Sequence, residues 1–154
     1  MEIVPFDPLY ATHFERLNKA WLEKYFYIEP IDEYVLANPQ EAILDHGGKI
    51  LFAKHQEQII GTIAMKWQSE GVIELTKMGG DEAFQGLGAG KLLFETALTT
   101  AKRMGAHRII LYSNTILAPA LSIYRKYGFV EVPLEKGLYE RSDIKMELPF
   151  TDSI

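Results

Sequence analysis

A chain of 154 residues, 47% hydrophobic and 24% charged, is sized and composed for a globular domain with a core of its own. A net charge of −5 argues against nucleic acid or an anionic membrane as the main partner, and no apolar run approaches spanning length. The absence of cysteine excludes disulfides, thiolate metal sites and a cysteine nucleophile together. The histidines, His13, His46, His55 and His107, form no H-x-H or H-x-x-x-H pair, so no metal site is expected. The opening "MEIVPFDPLY" lacks the charged-then-apolar layout of a signal peptide, and a cytoplasmic location is the expectation.

In chain order, residues 2–6 alternate as a first strand. Asp7 then reads as an N-cap with Pro8 at the first helical position. Phe14, Leu17, Trp21 and Phe26 follow at helical spacing. A second short helix is predicted over 31–37, stopped by Asn38-Pro39. "KILFAKH" and "IIGTIAMKW" are strands separated by a polar turn at 56–58, and "VIELTKMG" is a fourth strand. A helix running to Met104 is stopped by Gly105, and "HRIILYS" is a buried strand. "LAPALSIYRKYGF" is a helix ended by Gly128, and strands near 129–132 and 142–149 close the chain. This order implies a mixed sheet covered on its faces by helices. No repeat or linker interrupts it, so one domain over 1–154 is expected.

Between the fourth strand and the following helix stands "MGGDEAFQGLGAGK", with glycines at 79, 80, 86, 88 and 90. Each glycine costs backbone entropy, and exposed N–H groups ahead of a helix form an anion site. A P-loop would need glycine where Gln85 stands and Ser or Thr where Leu92 stands. A dinucleotide fingerprint built on Gly86 and Gly88 would need glycine at Lys91. Both readings fail. "QGLGAG" instead fits Q/R-x-x-G-x-G/A through Gln85, Gly88 and Gly90.

That pattern resembles the pyrophosphate loop of the GNAT acetyltransferase superfamily. "APALSIYRKYGF" is similar to the family's A-x-x-x-Y-x-K-x-G-F segment through Ala120, Tyr124, Lys126, Gly128 and Phe129. The order of strands and helices also follows the family over nearly the whole chain. The resemblance implies an α/β fold of mixed α+β character, the GNAT fold. Its central mixed, mostly antiparallel sheet has six to seven strands, splayed between strands 4 and 5 and flanked by about four helices. It also implies acetyl-CoA as cofactor, held by Gln85, Gly86, Leu87, Gly88, Ala89, Gly90 and Lys91. Met78, Gly79 and Gly80 would take the pantetheine arm and the thioester carbonyl, with Gly79-Gly80 either allowing close approach or making a simple bulge. The family often carries Asn seven residues before the tyrosine. Here that position is Leu117, and Asn114 either takes over the coenzyme contact or holds a turn.

Acetyl transfer to an amine needs a base for the ammonium and an acid for the leaving thiolate. Glu74, eleven residues before Gln85, resembles the catalytic glutamate of the histone acetyltransferase branch. The bland alternative is a solvated carboxylate or one paired with Lys77 or Arg141. By the resemblance, Tyr124 is the acid; otherwise it is a core tyrosine on an amphipathic helix. For the acceptor, Arg141 with Tyr139 would meet a carboxylate, Glu29 would hold a second ammonium group, or all are rim charges. The expected enzyme moves an acetyl group to a primary amine of a small molecule or amino-acid-like acceptor by direct attack in a ternary complex. A non-catalytic acyl-CoA-binding module and a protein-lysine acetyltransferase are the competing readings. A small-molecule amine acceptor is the expected partner, and a homodimer is left open.

Overall fold

In a computed structural model that describes residues 1–135 and 139–150, seven strands form one sheet. They are β1 (Glu2–Pro5), β2 (Lys49–His55), β3 (Gln58–Ser69), β4 (Val72–Gly80), β5 (Arg108–Ser113), β6 (Val130–Val132) and β7 (Ile144–Pro149). Their order across the sheet is β1-β2-β3-β4-β5-β7-β6. Every neighbouring pair is antiparallel except β4 and β5, which run parallel across the helical connection between them. The helices are α1 (Ala11–Tyr25), α2 (Pro30–Ala37), the short α3 (Pro39–Ala42), α4 (Ala89–Arg103) and α5 (Ala118–Lys126).

The sheet separates two apolar clusters. On one face Leu93, Phe94, Ala97 and Ala101 of α4 and Leu121 of α5 pack on Ile73, Leu75, Ile109 and Leu111. On the other, Phe14, Leu17 and Leu22 of α1 and Val35 and Leu36 of α2 pack on Ile50, Phe52 and Ala64. Strand β2 shows the cause directly. Ile50 and Phe52 feed one cluster, Leu51 and Ala53 the other, so "ILFA" is apolar without interruption.

The expected splay is present. Strands β4 and β5 pair only at Val72–Arg108, Ile73–Ile109 and Glu74–Ile110. Beyond that point β4 stays with β3 as far as Gly80, while β5 stays with β7 as far as Ser113. The two central strands therefore diverge, each held by its outer neighbour.

Three local readings are corrected. Asp7 caps a 3-10 turn over Pro8–Tyr10, its carboxylate accepting from the Leu9 N–H at 2.9 Å, and the α-helix starts at Ala11. Phe26 lies past the end of α1 in non-helical backbone. The last strand, expected from about residue 142, begins at Ile144, and Arg141 lies in the loop before it. Local bonds decide this. The Ser142 N–H turns back to the Tyr139 carbonyl at 3.3 Å, and the Asp143 carboxylate takes the Thr115 N–H at 2.8 Å.

Gly79 and Gly80 have different reasons for being small. A Cβ on Gly79 would stand 2.9 Å from the Leu17 carbonyl oxygen, so this glycine lets α1 lie close against β4. On Gly80 the nearest atom would be 4.0 Å away. Gly79→Ala is therefore expected to destabilise the protein by about 1–3 kcal/mol, the usual cost of overpacking. Gly80→Ala should stay within about 0.5 kcal/mol of the wild type. Urea unfolding of both variants checks the contrast.

Candidate active site

Strand β4 builds the centre of the site through a bulge. Thr62 pairs with Gly79 and Ala64 with Thr76, so Lys77 and Met78 together oppose Ile63. Lys77 takes the left-handed backbone conformation, φ +53°, uncommon for a residue with a Cβ. The extra residue resets the alternation. Met78 returns to the α4 face, while the Lys77 side chain reaches α2 on the other.

What it reaches is Asp32, which is fully buried. The Asp32 carboxylate accepts four bonds. Lys77 Nζ (2.8 Å) and Arg141 Nη2 (2.9 Å) donate to Oδ1, and Arg141 Nη1 (2.5 Å) and the Glu29 N–H (3.0 Å) to Oδ2. Glu29, at the N-cap of α2, accepts from Arg141 Nη1 at 2.9 Å and from the Glu140 N–H at 2.8 Å. Two carboxylates thus meet two cations, as buried charges require. Burial alone would raise the Asp32 pKa, but Arg141 and Lys77 outweigh it and hold the group below its ordinary value. Burial pulls the Lys77 pKa down, with Asp32 opposing.

Glu74 stands beside this cluster on the same strand and is 1% exposed. Its Oε2 accepts from the Tyr139 hydroxyl at 3.2 Å, and its Oε1 has no partner among the described residues. Burial raises its pKa, against the opposing pull of Lys77, Lys66 and Tyr139. The solvated alternative is thereby removed, and neither Lys77 nor Arg141 makes an ion pair with it. The Tyr139 ring lies 4.8 Å from Lys77 Nζ and 4.6 Å from the Arg141 guanidinium carbon, cation–π contacts that fix it over Glu74.

A cavity of about 760 Å³ opens here. Its walls include Asn18, Trp21 and Leu22 of α1 on one face of the sheet, and Leu93, Phe94, Ala120 and Tyr124 of α4 and α5 on the other. It therefore passes through the sheet. Residues 74–80 of β4 and 111–113 of β5, those at and beyond the last paired positions, line the passage. Tyr124 packs 5.4 Å from Phe94 and 6.1 Å from Phe129, ring to ring. Its hydroxyl has no hydrogen-bond partner among the described residues, and burial raises its pKa.

A second cavity, about 1120 Å³, lies between α1 and the glycine loop and shares Gly80, Ala89, Gly90 and Trp21 with the first. Gln85, Gly86 and Gly88 line it. Gly88, the N-cap of α4, has φ +81° in the left-handed region, and no side chain caps the helix. The first intrahelical bond runs from the Leu92 N–H to the Gly88 carbonyl, so the N–H groups of Ala89, Gly90 and Lys91, which line the cavities, have no intrahelical partner. No acidic residue stands in the first turn.

The structure gathers most of the sequence-derived candidates here, but not all in the expected roles. Met78, Gly79, Gly80, Ala89, Gly90, Lys91, Asn114, Tyr124, Tyr139 and Arg141 line the main cavity. Leu87 and Glu29 line neither cavity. Asn114 donates to the Arg141 carbonyl at 2.6 Å and accepts from the Ile116 N–H at 2.9 Å, so its amide holds the turn. The Arg141 fork, expected to meet an acceptor carboxylate, is filled by Asp32 and Glu29. Glu29 is correspondingly not open to a second ammonium group. Asp32 was missed altogether. Its trace in the sequence is a carboxylate three and four residues before Val35 and Leu36, on the apolar stripe of α2.

The sequence model of the acetyltransferase (GNAT) family matches residues 11–129, and the chain belongs to that family. Mycothiol acetyltransferase of Corynebacterium glutamicum strain R is 32% identical over 94 residues, 61% of this chain and 32% of the relative. That of Jonesia denitrificans is 33% identical over 93 residues, 60% of this chain and 29% of the relative. The match spans about a third of these relatives' length. A GNAT-family acetyltransferase from Staphylococcus aureus Mu50 superposes with a TM-score of 0.84 at 20% identity, covering 96% of this chain and 98% of that one. A putative acetyltransferase from Salmonella typhimurium, yncA, solved with its cofactor acetyl-CoA, gives 0.78 at 19% identity, covering 100% and 96%. The likeness to these solved structures carries the fold.

The raised Glu74 pKa has a consequence for stability. A carboxyl that binds its proton more tightly in the fold contributes fully below its unfolded pKa, and that contribution is lost as pH rises through the folded value. Glu74→Gln removes the titrating proton while keeping an oxygen for Tyr139. As pH rises above about 4, the unfolded value, the variant should gain stability relative to wild type, read as diverging melting temperatures. A pH-independent difference would show that Glu74 titrates alike in both states.

Proposed function

We propose that residues 1–154 act as one acetyltransferase domain that moves an acetyl group from acetyl-CoA to the primary amine of a small-molecule acceptor, by direct attack in a ternary complex. The observation that carries this reading is the passage through the sheet. On the α4–α5 face it opens beside an uncapped helix N-terminus and the lysines Lys91 and Lys126, and on the α1–α2 face it meets Glu74. Two substrates that enter from opposite faces come together where β4 and β5 part.

The residues at the loop fit a pyrophosphate. The glycine at 88 presents bare backbone, the helix dipole favours an anion, and no carboxylate opposes it in the first turn. In this reading Met78 and Gly80 supply the backbone groups that receive the pantetheine arm and meet the charge developing on the carbonyl oxygen. Glu74 takes the proton of the acceptor ammonium. Its raised pKa suits that task, because a base is most effective when its pKa approaches the working pH. Tyr124, whose phenol burial keeps protonated, donates to the departing sulfur. A chain without cysteine has no thiol for an acyl-enzyme, which favours direct attack.

The same absence simplifies the assay, since a thiol reagent reports only the coenzyme A released. Amine-dependent thiol release from acetyl-CoA is expected; its absence across an amine panel, with acetyl-CoA still bound, would leave a binding module. Gly88→Asp should abolish stabilisation by acetyl-CoA in thermal melts. The variant should still fold, because aspartate tolerates the left-handed region better than most residues. Tyr124→Phe should lower kcat by roughly 10²-fold with little change in acetyl-CoA affinity, as loss of a positioned proton donor requires. Single-turnover rates and calorimetric titration of the variant check both halves of that statement.

A further inference from the structure

We infer that the acceptor is a monoamine on an apolar or aromatic body, with no carboxylate beside the amine. The inference rests on the acetyl-transfer reading and deepens it. On the α1–α2 side the cavity wall is aromatic, formed by Trp21, Phe26, Tyr112 and Tyr139, with Glu74 at its inner end. Among the described residues, both cations that line this side are occupied. Lys77 is 3% exposed and bonded to Asp32, and Arg141 holds Asp32 through two nitrogens and Glu29 through one of them. Lys66, opposite Glu74 in the strand register, does not line the cavity.

Among the described residues, an acceptor carboxylate in this chamber has no cation to meet. It would have to displace Asp32 or Glu29, leaving a buried carboxylate without its partner, which is among the most costly rearrangements a protein interior can make. An amine has a partner already in place. Glu74 lines the cavity, and its buried Oε1 has no partner among the described residues, one unfilled acceptor for one N–H donor. A diamine or polyamine would bring a second ammonium group that finds, among the described lining residues, no carboxylate besides Glu74. The unpaired lysines that line the cavity among the described residues, Lys91 and Lys126, lie on the opposite face with the glycine loop. The passage is therefore cationic where a phosphate-bearing cosubstrate enters and acidic and aromatic where the acceptor enters.

The test uses the whole chain with saturating acetyl-CoA and matched probes: phenethylamine against phenylalanine, isoamylamine against leucine, and spermidine. Release of coenzyme A is read as thiol. The decarboxylated amine of each pair should exceed its amino acid in kcat/KM by at least about 30-fold, the scale set by stranding one buried charge. Phenethylamine should also exceed spermidine. An amino acid equal to or better than its amine, or spermidine as the preferred acceptor, overturns the inference and leaves acetyl transfer standing. If no probe releases thiol while acetyl-CoA still stabilises the protein, the transferase reading falls, and the inference with it.

Discussion

The carboxylate of Asp32 is the point on which the site depends. It is fully buried, and it accepts from Lys77 of β4, Arg141 of the loop before β7 and the backbone at the start of α2. Those elements lie far apart in the chain, and two of them, β4 and the loop before β7, contribute walls of the chamber. A buried ion cluster of this kind need not stabilise a fold more than apolar packing would. Its effect here is geometric. Removing one member strands another charge, at a cost of about 3–5 kcal/mol, so the cluster admits one arrangement of the walls.

The bulge in β4 makes the cluster possible. Without the extra residue, Lys77 would point into the apolar cluster beneath α4, and Met78 would face α1 and α2. The left-handed turn at Lys77 exchanges them. Gly79 serves the same end, letting α1 approach β4 closely enough to close the chamber from above. Local backbone strain at the bulge is stored against the Lys77–Asp32 bond.

Charge is distributed along the passage in the same manner. Positive groups that the protein leaves open lie by the glycine loop: the N–H groups of α4 with Lys91 and Lys126. Positive groups on the α1–α2 face are closed by the protein's own carboxylates, and buried Glu74 keeps one oxygen without a partner among the described residues. A net charge of −5 conceals this polarity, since it arises from which charges pair and not from how many there are.

The order of elements was legible in the sequence because it is written in local patterns. Helical spacing in "FERLNKAWL", the uninterrupted apolar run of "ILFA" and the glycines ahead of α4 depend only on neighbours a few residues away. The glycine loop and the tyrosine segment were legible for the same reason, and with them the family. The roles of charged residues were not. Arg141 reads as a free guanidinium, Glu29 as a free carboxylate and Asn114 as a candidate contact for coenzyme, because the sequence shows each side chain without its partner. Only the fold brings Arg141 to Asp32, 109 positions away, and to Glu29, 112 positions away. Whether a charge is offered to a ligand or spent inside the protein is a property of long-range contact, and the tertiary structure alone decides it.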